Sequence, residues 1–343
     1  MNLWHGLSPA SPVAFEALEP LERRRLREQL QVDLLRELKP DVCFLQEVNP
    51  GPARAAALAA ELELSSALQP DLVGLKLFGL GLPINLNSGL VILSQSSFGL
   101  KKIKGVSLSR PGTNWVQSWG SWQLKEERFA LFCEAMLPKW GRVLLVNTHL
   151  HHGLESTPDF VARLNHLAKE LELDENVVAE IHQRLEMGSA RRAQELEVLI
   201  SAIHDVQKRY EVVVIGGDFN ASPESDFGRA LKDIGFRDTW GECHPEGGGL
   251  SYDGTLNVAN HKLQERFPLT FVVEDLSFSA KTKEALMAVA RLQEARPRRI
   301  DYVWLRSRSL KLNVSSAQIV GLPNHEGLAP SDHFGVCSDI ELE

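Results

Sequence analysis

The chain has 343 residues, of which 43% are hydrophobic, and a formal net charge of −8 at pH 7. This composition supports a large hydrophobic core and excludes a disordered chain. The negative charge argues against broad, non-specific binding of nucleic acid, which normally requires a basic surface, although a local basic groove stays compatible with it.

Short apolar runs bounded by turn residues recur along the chain, each with the length and the β-branched or aromatic content of a strand. They predict strands at 41–47, 88–94, 128–135, 142–150, 211–220, 299–305 and 333–342. Amphipathic periodicity predicts helices at 21–39, at 189–209 with Ser189 as the N-cap, and near 281–295. This order of elements predicts an α+β protein with sheets inside and helices on the outer faces.

The stretch 153–188 reads as a helical insertion. "STPDF" gives it an N-cap followed by a proline at the first helical position. Because the insertion directly follows "NTHLHHG", it should lie near His149. We therefore expect one domain over 1–343, with the insertion at 153–188 beside the mouth of the site.

Carboxylate and amide side chains end two of the predicted buried strands. "EVVVIGGDFN" delivers Asp218 and Asn220 at the end of an apolar run, and "FLQE" does the same with Glu47. A carboxylate among apolar residues costs free energy unless a metal, a hydrogen bond or water compensates for it. Hard oxygen ligands of this kind suit Mg²⁺ or Mn²⁺.

A second group of polar residues occupies similar positions. His149 ends "VNTHL", Asp301 interrupts "RIDYVWL", and "PSDHF" places Asp332 beside His333. Each has a structural alternative: Asp332 suits a turn, and a lone histidine is more often structural than functional. A histidine beside one aspartate, oriented by a second, suits proton transfer and stabilisation of phosphate. The two groups together predict one site.

The segments "QE", "NTHL", "GGDFN", "RIDYV" and "SDHFGV", in this order, resemble the endonuclease/exonuclease/phosphatase superfamily. The resemblance runs from Asn2 to about residue 340, apart from the insertion. It implies a four-layer α/β/β/α sandwich of two packed mixed sheets with outer helices. It also implies magnesium-dependent hydrolysis of a phosphodiester through in-line attack by an activated water.

The resemblance implies a metal site with three residues. Glu47 would hold the metal, Asp332 would assist the metal or the nucleophile, and Asn2 in "MNLWHGLS" matches the asparagine of the first motif. Members of the superfamily usually have a full strand before that asparagine, whereas a single residue precedes Asn2 here.

The resemblance assigns catalytic roles to five further residues. Asp218 and Asn220 would position the attacking water and contact the phosphate. His333 would stabilise the phosphoryl oxygens or transfer a proton, with Asp301 fixing its tautomer. His149 would contact the scissile phosphate.

The wording of several segments favours a sphingomyelinase-like substrate, cleaved in the manner of a phospholipase C. "NTHLHHG", "SYDGTLNVAN", "RRIDYVWL" and "APSDHFGV" are similar to segments of that branch. A nuclease or nucleic-acid end-processing phosphodiesterase is the alternative, and a catalytically silent binding module on the same fold is a second one. A lipid headgroup at a membrane surface is the favoured partner, with nucleic acid less favoured.

Two stretches bear on that choice. "GLKLFGLGLPINLNSGL" at 74–90 is unusually apolar for a loop, and Trp115, Trp119 and Trp122 lie close together. These rings could lie at a bilayer surface, stack on unpaired bases or belong to the core. No apolar run has the length of a membrane span and no signal peptide is recognisable, so a cytoplasmic location is the default, with secretion open if residues precede Met1.

Overall fold

Strands and helices alternate along most of the chain. The computed structural model describes residues 1–11, 14–109, 114–117, 119–123, 127–152, 155–223, 225–258, 260, 284–285, 287–289, 291–292 and 296–343. Within these residues the helices are Leu21–Leu38 (α1), Gly51–Leu62 (α2), Pro158–Glu170 (α3), Glu175–Gln207 (α4), Asp226–Asp233 (α5) and Thr239–Cys243 (α6). The strands are Leu7–Ser11 (β1), Ala14–Ala17 (β2), Val42–Val48 (β3), Leu64–Pro70 (β4), Leu75–Leu77 (β5), Leu80–Leu82 (β6), Gly89–Gln95 (β7), Lys101–Ser107 (β8), Trp115–Val116 (β9), Gly120–Trp122 (β10), Phe129–Leu137 (β11), Gly141–His149 (β12), Val212–Asp218 (β13), Arg237–Asp238 (β14), Asp301–Ser307 (β15), Leu312–Val320 (β16) and Gly335–Leu342 (β17).

A six-stranded mixed sheet forms the centre of the fold. Its strand order is β14-β15-β13-β12-β11-β8. β12 and β13 run parallel, whereas the other neighbours are antiparallel. Its central strand β13 is buried along its whole length, which explains its continuous run of apolar residues.

A second β layer packs against one face of this sheet. It consists of an antiparallel sheet in the order β3-β7-β4 and of the antiparallel pair β16-β17. Phe44, Leu90 and Ile92 from the second layer share a core with Leu131 and Leu145 of the central sheet. Alternating inward side chains of two stacked sheets form this core, as in other β-sandwiches.

Helices cover the outer face of each β layer. α1 and α2 place Val32, Leu35 and Leu58 against the outer side of β3 and β7. α4 and α5 cover the free face of the central sheet, through residues such as Leu199 and Leu231. The predicted α+β class and the α/β/β/α order of layers are confirmed.

The two parts of the second β layer are linked near Asn2. Asn2 forms a single parallel bridge with Gln46, and the amino group of Met1 donates to the carbonyl oxygen of Phe44 over 2.8 Å. On the other side, Ser331 Oγ donates to the carbonyl oxygen of Asn2 over 2.7 Å. Asn2 is thereby held between Gln46 of β3 and Ser331, which precedes β17. This places it at the same end of the sandwich as Glu47.

All seven predicted strands are confirmed, but the predicted start of the second helix is wrong. α4 begins at Glu175, not at Ser189, because Val177, Ile181 and Leu185 continue the apolar spacing toward the N-terminus and no proline interrupts it. The boundary at 188 therefore falls inside one continuous helix, and residues 153–154 of the proposed insertion lie outside the described residues. The described positions of the third predicted helix, between 284 and 292, are helical, whereas 281–283, 286, 290 and 293–295 lie outside the described residues.

α3 and the first half of α4 have a small core of their own. Phe160, Leu164 and Ile181 pack there against Ala285 and Val289, apart from the core between the sheets. The helical character expected after His149 is therefore found. Its role as an insertion at the mouth of the site stays a prediction.

The stretch 74–90 is not a loop throughout. It contains β5 and β6, which pair with each other and, through β5, with β10. Trp115, Trp119 and Trp122 are 40%, 51% and 56% exposed, so they do not belong to the core. Within the described residues, no helix combines the length and apolar character that crossing a bilayer requires.

Gly216 is required by the close packing of the two β layers. A Cβ there would overlap with the Phe44 ring, whereas a Cβ at Gly228 in α5 would lie 3.7 Å from Trp304, at ordinary contact distance. We expect Gly216→Ala to lower the free energy of unfolding by about 1–3 kcal/mol, because overpacking forces the layers apart. Gly228→Ala is the matched control and should be neutral or slightly stabilising. Equal stability of both variants in urea unfolding would contradict this account.

Candidate active site

Strand register places three of the predicted residues in one row. His149 lies opposite Asp218 in the parallel pair β12-β13, and Asp218 lies opposite Asp301 in the antiparallel pair β13-β15. Neighbouring strands are about 4.7–4.9 Å apart, so side chains in such a row that project from the same face are direct neighbours. The strand ends recognised in the sequence therefore meet at one edge of the central sheet.

The carboxylate of Asp218 is the centre of this arrangement. Nitrogen atoms of three side chains surround its Oδ2: Asn2 Nδ2 at 3.2 Å, His149 Nε2 at 3.4 Å and His333 Nε2 at 3.8 Å. Its Oδ1 accepts a hydrogen bond from the backbone N–H of Asn220 over 2.9 Å. Burial and the negative charge of Asp301 raise the pKa of Asp218 to about 6, against the opposing effect of His333.

His333 is held between two aspartates. Its Nδ1 lies 2.8 Å from Asp301 Oδ2, and its Nε2 faces Asp218. Burial disfavours the charged imidazole, but the negative charges of Asp301, Asp332 and Asp218 outweigh burial and raise the pKa of His333 to about 10. At neutral pH the ring is therefore a cation that can donate from Nε2 toward the site.

Two serines that the sequence did not single out orient these groups. Ser251 Oγ accepts hydrogen bonds from the backbone N–H groups of Ile300 and Asp301, at 3.0 and 2.9 Å. Ser331 Oγ donates to Asn2 and accepts from the backbone N–H of His333. Both serines are fully buried, so they fix the start of β15 and the approach to β17. Buried serines in polar loops carry no periodic signal that would identify them in a sequence.

Glu47 approaches the site from the second β layer. It lies at an irregularity of the β3-β7 register, with a left-handed φ of 54°. Its Oε1 accepts from Asn2 Nδ2 over 3.1 Å, and its Oε2 accepts from the backbone N–H of His5 over 3.2 Å. Burial would raise the pKa of Glu47, but the charge of His5 and these hydrogen bonds hold it well below its usual range. The residue is therefore an anion whose direction is set by its backbone.

The arrangement fits a divalent cation. Among the described residues, Asp218, Asp301 and His333 form a buried group whose polar atoms lie within 4.8 Å of one another, and while His333 is charged the two carboxylates are the groups in it that can bind a cation. Asp301 Oδ1 is buried without a hydrogen-bond partner, and repulsion between the two aspartates raises the pKa of Asp218. A cation bound to these oxygens would relieve both penalties.

The three predicted metal ligands are distributed around this group. Asn2 Nδ2 bridges the carboxylates of Glu47 and Asp218. Asp332 Oδ1 lies 3.1 Å from Ser331 Oγ, and its charge acts on His333. Glu47 is the most accessible of the carboxylates, with 21% of its side chain exposed. Their role as metal ligands stays a prediction.

Arg128 is a further site residue that sequence patterns did not indicate. One of its nitrogens lies 3.0 Å from His149 Nδ1 and another 2.7 Å from His152 Nδ1. Since a guanidinium only donates, His149 Nδ1 accepts, and the ring proton is carried by Nε2, which faces Asp218. The buried arginine thus makes His149 a hydrogen-bond donor toward the site.

Two buried amides hold the β layers in register behind the site. Asn147 Nδ2 donates to the carbonyl oxygens of Leu45 and Val91, at 2.8 and 2.9 Å. Asn147 Oδ1 accepts from Gln46 Nε2 over 2.6 Å. Asn220, with a left-handed φ of 49°, donates through Nδ2 to the carbonyl oxygen of Leu150. These contacts tie β3, β7, β12 and β13 together at the edge that carries the site.

The family can now be stated. The family model described as the Endonuclease/Exonuclease/phosphatase family matches residues 1–333, and the chain belongs to this family. Its members are hydrolases that act on phosphoesters, and they generally depend on a divalent metal. No curated protein matches the chain with significance.

Solved structures confirm the fold. The endonuclease/exonuclease/phosphatase of Bacteroides vulgatus is similar with a TM-score of 0.55 and 16% identity, covering 93% of this chain and 91% of that one. That of Beutenbergia cavernae has a TM-score of 0.54 and 18% identity over 99% and 70% of the two chains. A humanized D. rerio TDP2 gives 0.52 and 16% over 94% of each chain. At these identities the likeness concerns the fold alone.

The ion pair of His333 makes a testable contribution to stability. A histidine whose pKa is raised from 6.5 to about 10 stabilises the folded protein fully below pH 6.5, and this contribution disappears as the pH rises toward 10. In metal-free protein, we expect Asp301→Asn to move the NMR-detected pKa of His333 down toward 6.5. The variant should also lose stability most at low and neutral pH. An unchanged titration of His333 would show that Asp301 does not hold the charge.

Proposed function

We propose that this protein is a magnesium-dependent phosphodiesterase with a sphingomyelinase-like activity. It would cleave a phosphodiester lipid in the manner of a phospholipase C. The placement of His333 is the observation that carries the reaction. Its Nδ1 is bound to Asp301, and its charged Nε2 faces the carboxylate of Asp218. A buried cationic donor beside a buried carboxylate suits stabilisation of a phosphate oxygen next to activation of water.

The carboxylates would share the metal and the water. Glu47, with Asn2 and Asp332 nearby, would hold Mg²⁺, which would neutralise charge on the phosphate when bound. Asp218, whose pKa is about 6, is mostly ionised at neutral pH and would accept a proton from the attacking water. Asn220, held against Asp218 by its backbone N–H, would help to position that water.

The two histidines would act as donors from opposite sides. His333 would donate from Nε2 to a phosphoryl oxygen, with its ring orientation fixed by Asp301. His149 would donate from Nε2 to another phosphate oxygen, with Arg128 holding its Nδ1 as an acceptor. Because these donors are positioned by strand register before substrate binds, little reorganisation is needed during the reaction.

The substrate class rests on sequence similarity and on charge. "NTHLHHG", "RRIDYVWL" and "APSDHFGV" are similar in wording to the sphingomyelinase-like branch. The net charge of −8 is unfavourable for extended contact with a nucleic-acid backbone, where each phosphate contact favours a cation. A compact headgroup phosphodiester requires fewer such contacts.

A nucleic-acid end is the second candidate substrate. The exposed rings of Trp115, Trp119 and Trp122 could stack on unpaired bases. One similar structure, D. rerio TDP2 complexed with a single-strand DNA product, has a TM-score of 0.50 and 16% identity over 91% of this chain. That complex makes single-stranded oligonucleotides a necessary comparison.

A substrate panel tests the proposed reaction. Sphingomyelin and lysophospholipid micelles, single- and double-stranded oligonucleotides, an inositol phosphate and bis-p-nitrophenyl phosphate are assayed with Mg²⁺ and with a chelator. We expect metal-dependent release of choline phosphate. His333→Ala and Glu47→Gln should each lower the rate by about 10²–10⁴-fold, because each removes a charged group from the reacting atoms.

His325→Ala is the matched control, since His325 is 89% exposed on its side chain and forms no part of the site. It should leave turnover unchanged. Oligonucleotide cleavage without lipid turnover would reject the lipid substrate and keep the chemistry. Inactivity on every substrate, including the generic diester, would reject the proposed reaction and favour a binding module.

Arg128 offers a separate test of the role of His149. Arg128→Gln should lower kcat by about 10–100-fold with a smaller change in KM, because it releases the tautomer of His149 without removing the ring. Arg142→Gln, on the partly exposed far end of β12, is the control and should behave as wild type. The ¹⁵N shifts of His149 should show the Nε2–H form in wild type only. Identical ring shifts in the Arg128 variant would contradict the assignment.

A further inference from the structure

The small four-stranded sheet exposes apolar side chains and buries a polar one, the reverse of what is expected of a sheet at the protein surface. Its strand order is β6-β5-β10-β9. In β5, Leu75 and Leu77 are exposed, whereas Lys76 between them is buried. The buried Lys76 Nζ donates to the carbonyl oxygen of Pro83, so the lysine is satisfied inside. A sheet with one face in water normally directs its apolar residues inward.

The outward apolar side chains continue on the neighbouring strands. In β10, Gly120 and Ser121 are buried and Trp122 is exposed, whereas in β9 Trp115 is exposed and Val116 packs inward. Exposed large apolar side chains also come from β6, β9 and the adjoining loops: Phe78, Leu80, Leu82, Ile84, Trp115 and Trp119. We call the exposed side of this sheet the apolar face. Monomeric proteins rarely expose a continuous apolar patch of this kind without an interaction partner.

Aromatic contacts hold the apolar face together. The Trp115 and Trp119 rings meet edge to face with centroids 4.7 Å apart, and the Phe78 ring lies 6.3 Å from that of Trp119. The backbone N–H of Phe78 donates to the carbonyl oxygen of Trp119 over 2.6 Å, which joins the β5-β6 turn to β10. These contacts join the exposed aromatic side chains into one cluster.

The apolar face rises from the end of the sandwich that carries the site. The connection 71–88 leaves β4 at Pro70 and enters β7 at Gly89, which lies opposite Val48, the residue after Glu47. The connection 108–128 ends at β11, where Ala130 lies opposite Thr148, next to His149. Both connections thus end beside residues of the candidate active site.

The surrounding sequence is free of negative charge. All 45 acidic residues of the chain lie outside residues 72–125, and that stretch carries six lysines and arginines. The apolar face therefore belongs to a stretch without carboxylates, and Lys101, Lys102 and Lys104 of that stretch lie on β8 of the central sheet. No carboxylate of this stretch would be repelled by a surface that is apolar inside and negatively charged outside.

We propose that the apolar face docks on a lipid bilayer. The tip of the β5-β6 hairpin projects freely, since Phe78 and Leu80 are 77% and 81% exposed and a Cβ at Gly79 would meet nothing within 4 Å. A projecting apolar tip enters fluid acyl chains without needing a matching groove, whereas a protein partner would have to supply one. Tryptophan rings prefer the headgroup level of a bilayer, which suits Trp115 and Trp122 at the edge of the face.

In placing the bilayer at the mouth of the site, this inference rests on the proposed function. Docking would bring a headgroup phosphodiester toward Glu47 and His149 while its acyl chains stay in the membrane. The binding step itself does not depend on turnover. It can therefore be measured separately, in protein that is prevented from hydrolysing lipid.

Flotation with vesicles in the presence of a chelator tests the proposal. The vesicles are phosphatidylcholine mixed with phosphatidylserine, and phosphatidylcholine alone. We expect wild type to float with the mixed vesicles, and Phe78→Ser with Leu80→Ser to raise its Kd about tenfold or more. Met136→Ser is the matched control, because Met136 is 55% exposed at the far end of β11 and should leave binding unchanged.

Three further readouts separate the possible outcomes. Brominated lipids should quench tryptophan fluorescence in wild type and less in the double variant, which should hydrolyse bis-p-nitrophenyl phosphate as wild type does. Wild type that neither floats nor is quenched would overturn the docking proposal, even if it turns over the diester. If wild type sediments as a dimer and the double variant as a monomer, and neither binds vesicles, the apolar face is a self-association surface instead. Vesicle binding without lipid turnover would keep the docking surface and reject only the proposed substrate.

Discussion

Burial of the Asp218 carboxylate is the constraint on which the rest of the site depends. A buried anion is tolerated only when donors surround it, and here they come from four separate segments of the chain. Asn2, His149, Asn220 and His333 can reach it together only if both β layers and the approach to β17 are correctly placed. The site is therefore complete only when the sandwich is folded. The negative charge of Asp301 still repels that of Asp218, so one more positive charge at the site would stabilise both carboxylates.

The glycines before Asp218 make this burial possible. At Gly216 the second layer approaches so closely that the Phe44 ring fills the space of a side chain, and at Gly217 the carbonyl of Thr148 does the same. Because the two β layers lie so close together, Asn147 can donate hydrogen bonds to the carbonyl oxygens of Leu45 and Val91 in the second layer. The pattern "GGD" thus combines a packing requirement with a chemical one.

The sequence predicted the strands and the α+β class from local patterns, and the order of the four layers from the family resemblance. An apolar strand that ends in Asp218 or Glu47 is visible without a structure, and so is the family resemblance. Arg128 and Ser251 could not be predicted, since their importance arises from partners far along the chain. The start of α4 was placed too late because Ser189, a good N-cap, competes with apolar spacing that extends further upstream. The inverted sheet was taken for a loop because apolar outward residues contradict the usual pattern.

The left-handed backbone at Glu47 has a consequence for the evolution and engineering of this chain. Few residues other than glycine and asparagine adopt a φ of 54° without strain, so glutamate is retained there at the expense of folding stability. Glycine would relieve the strain while removing the carboxylate, so with Glu47 in its proposed role, selection for thermal stability and selection for catalysis favour different residues at this position. A library of variants selected for stability alone would therefore include replacements of Glu47 by glycine.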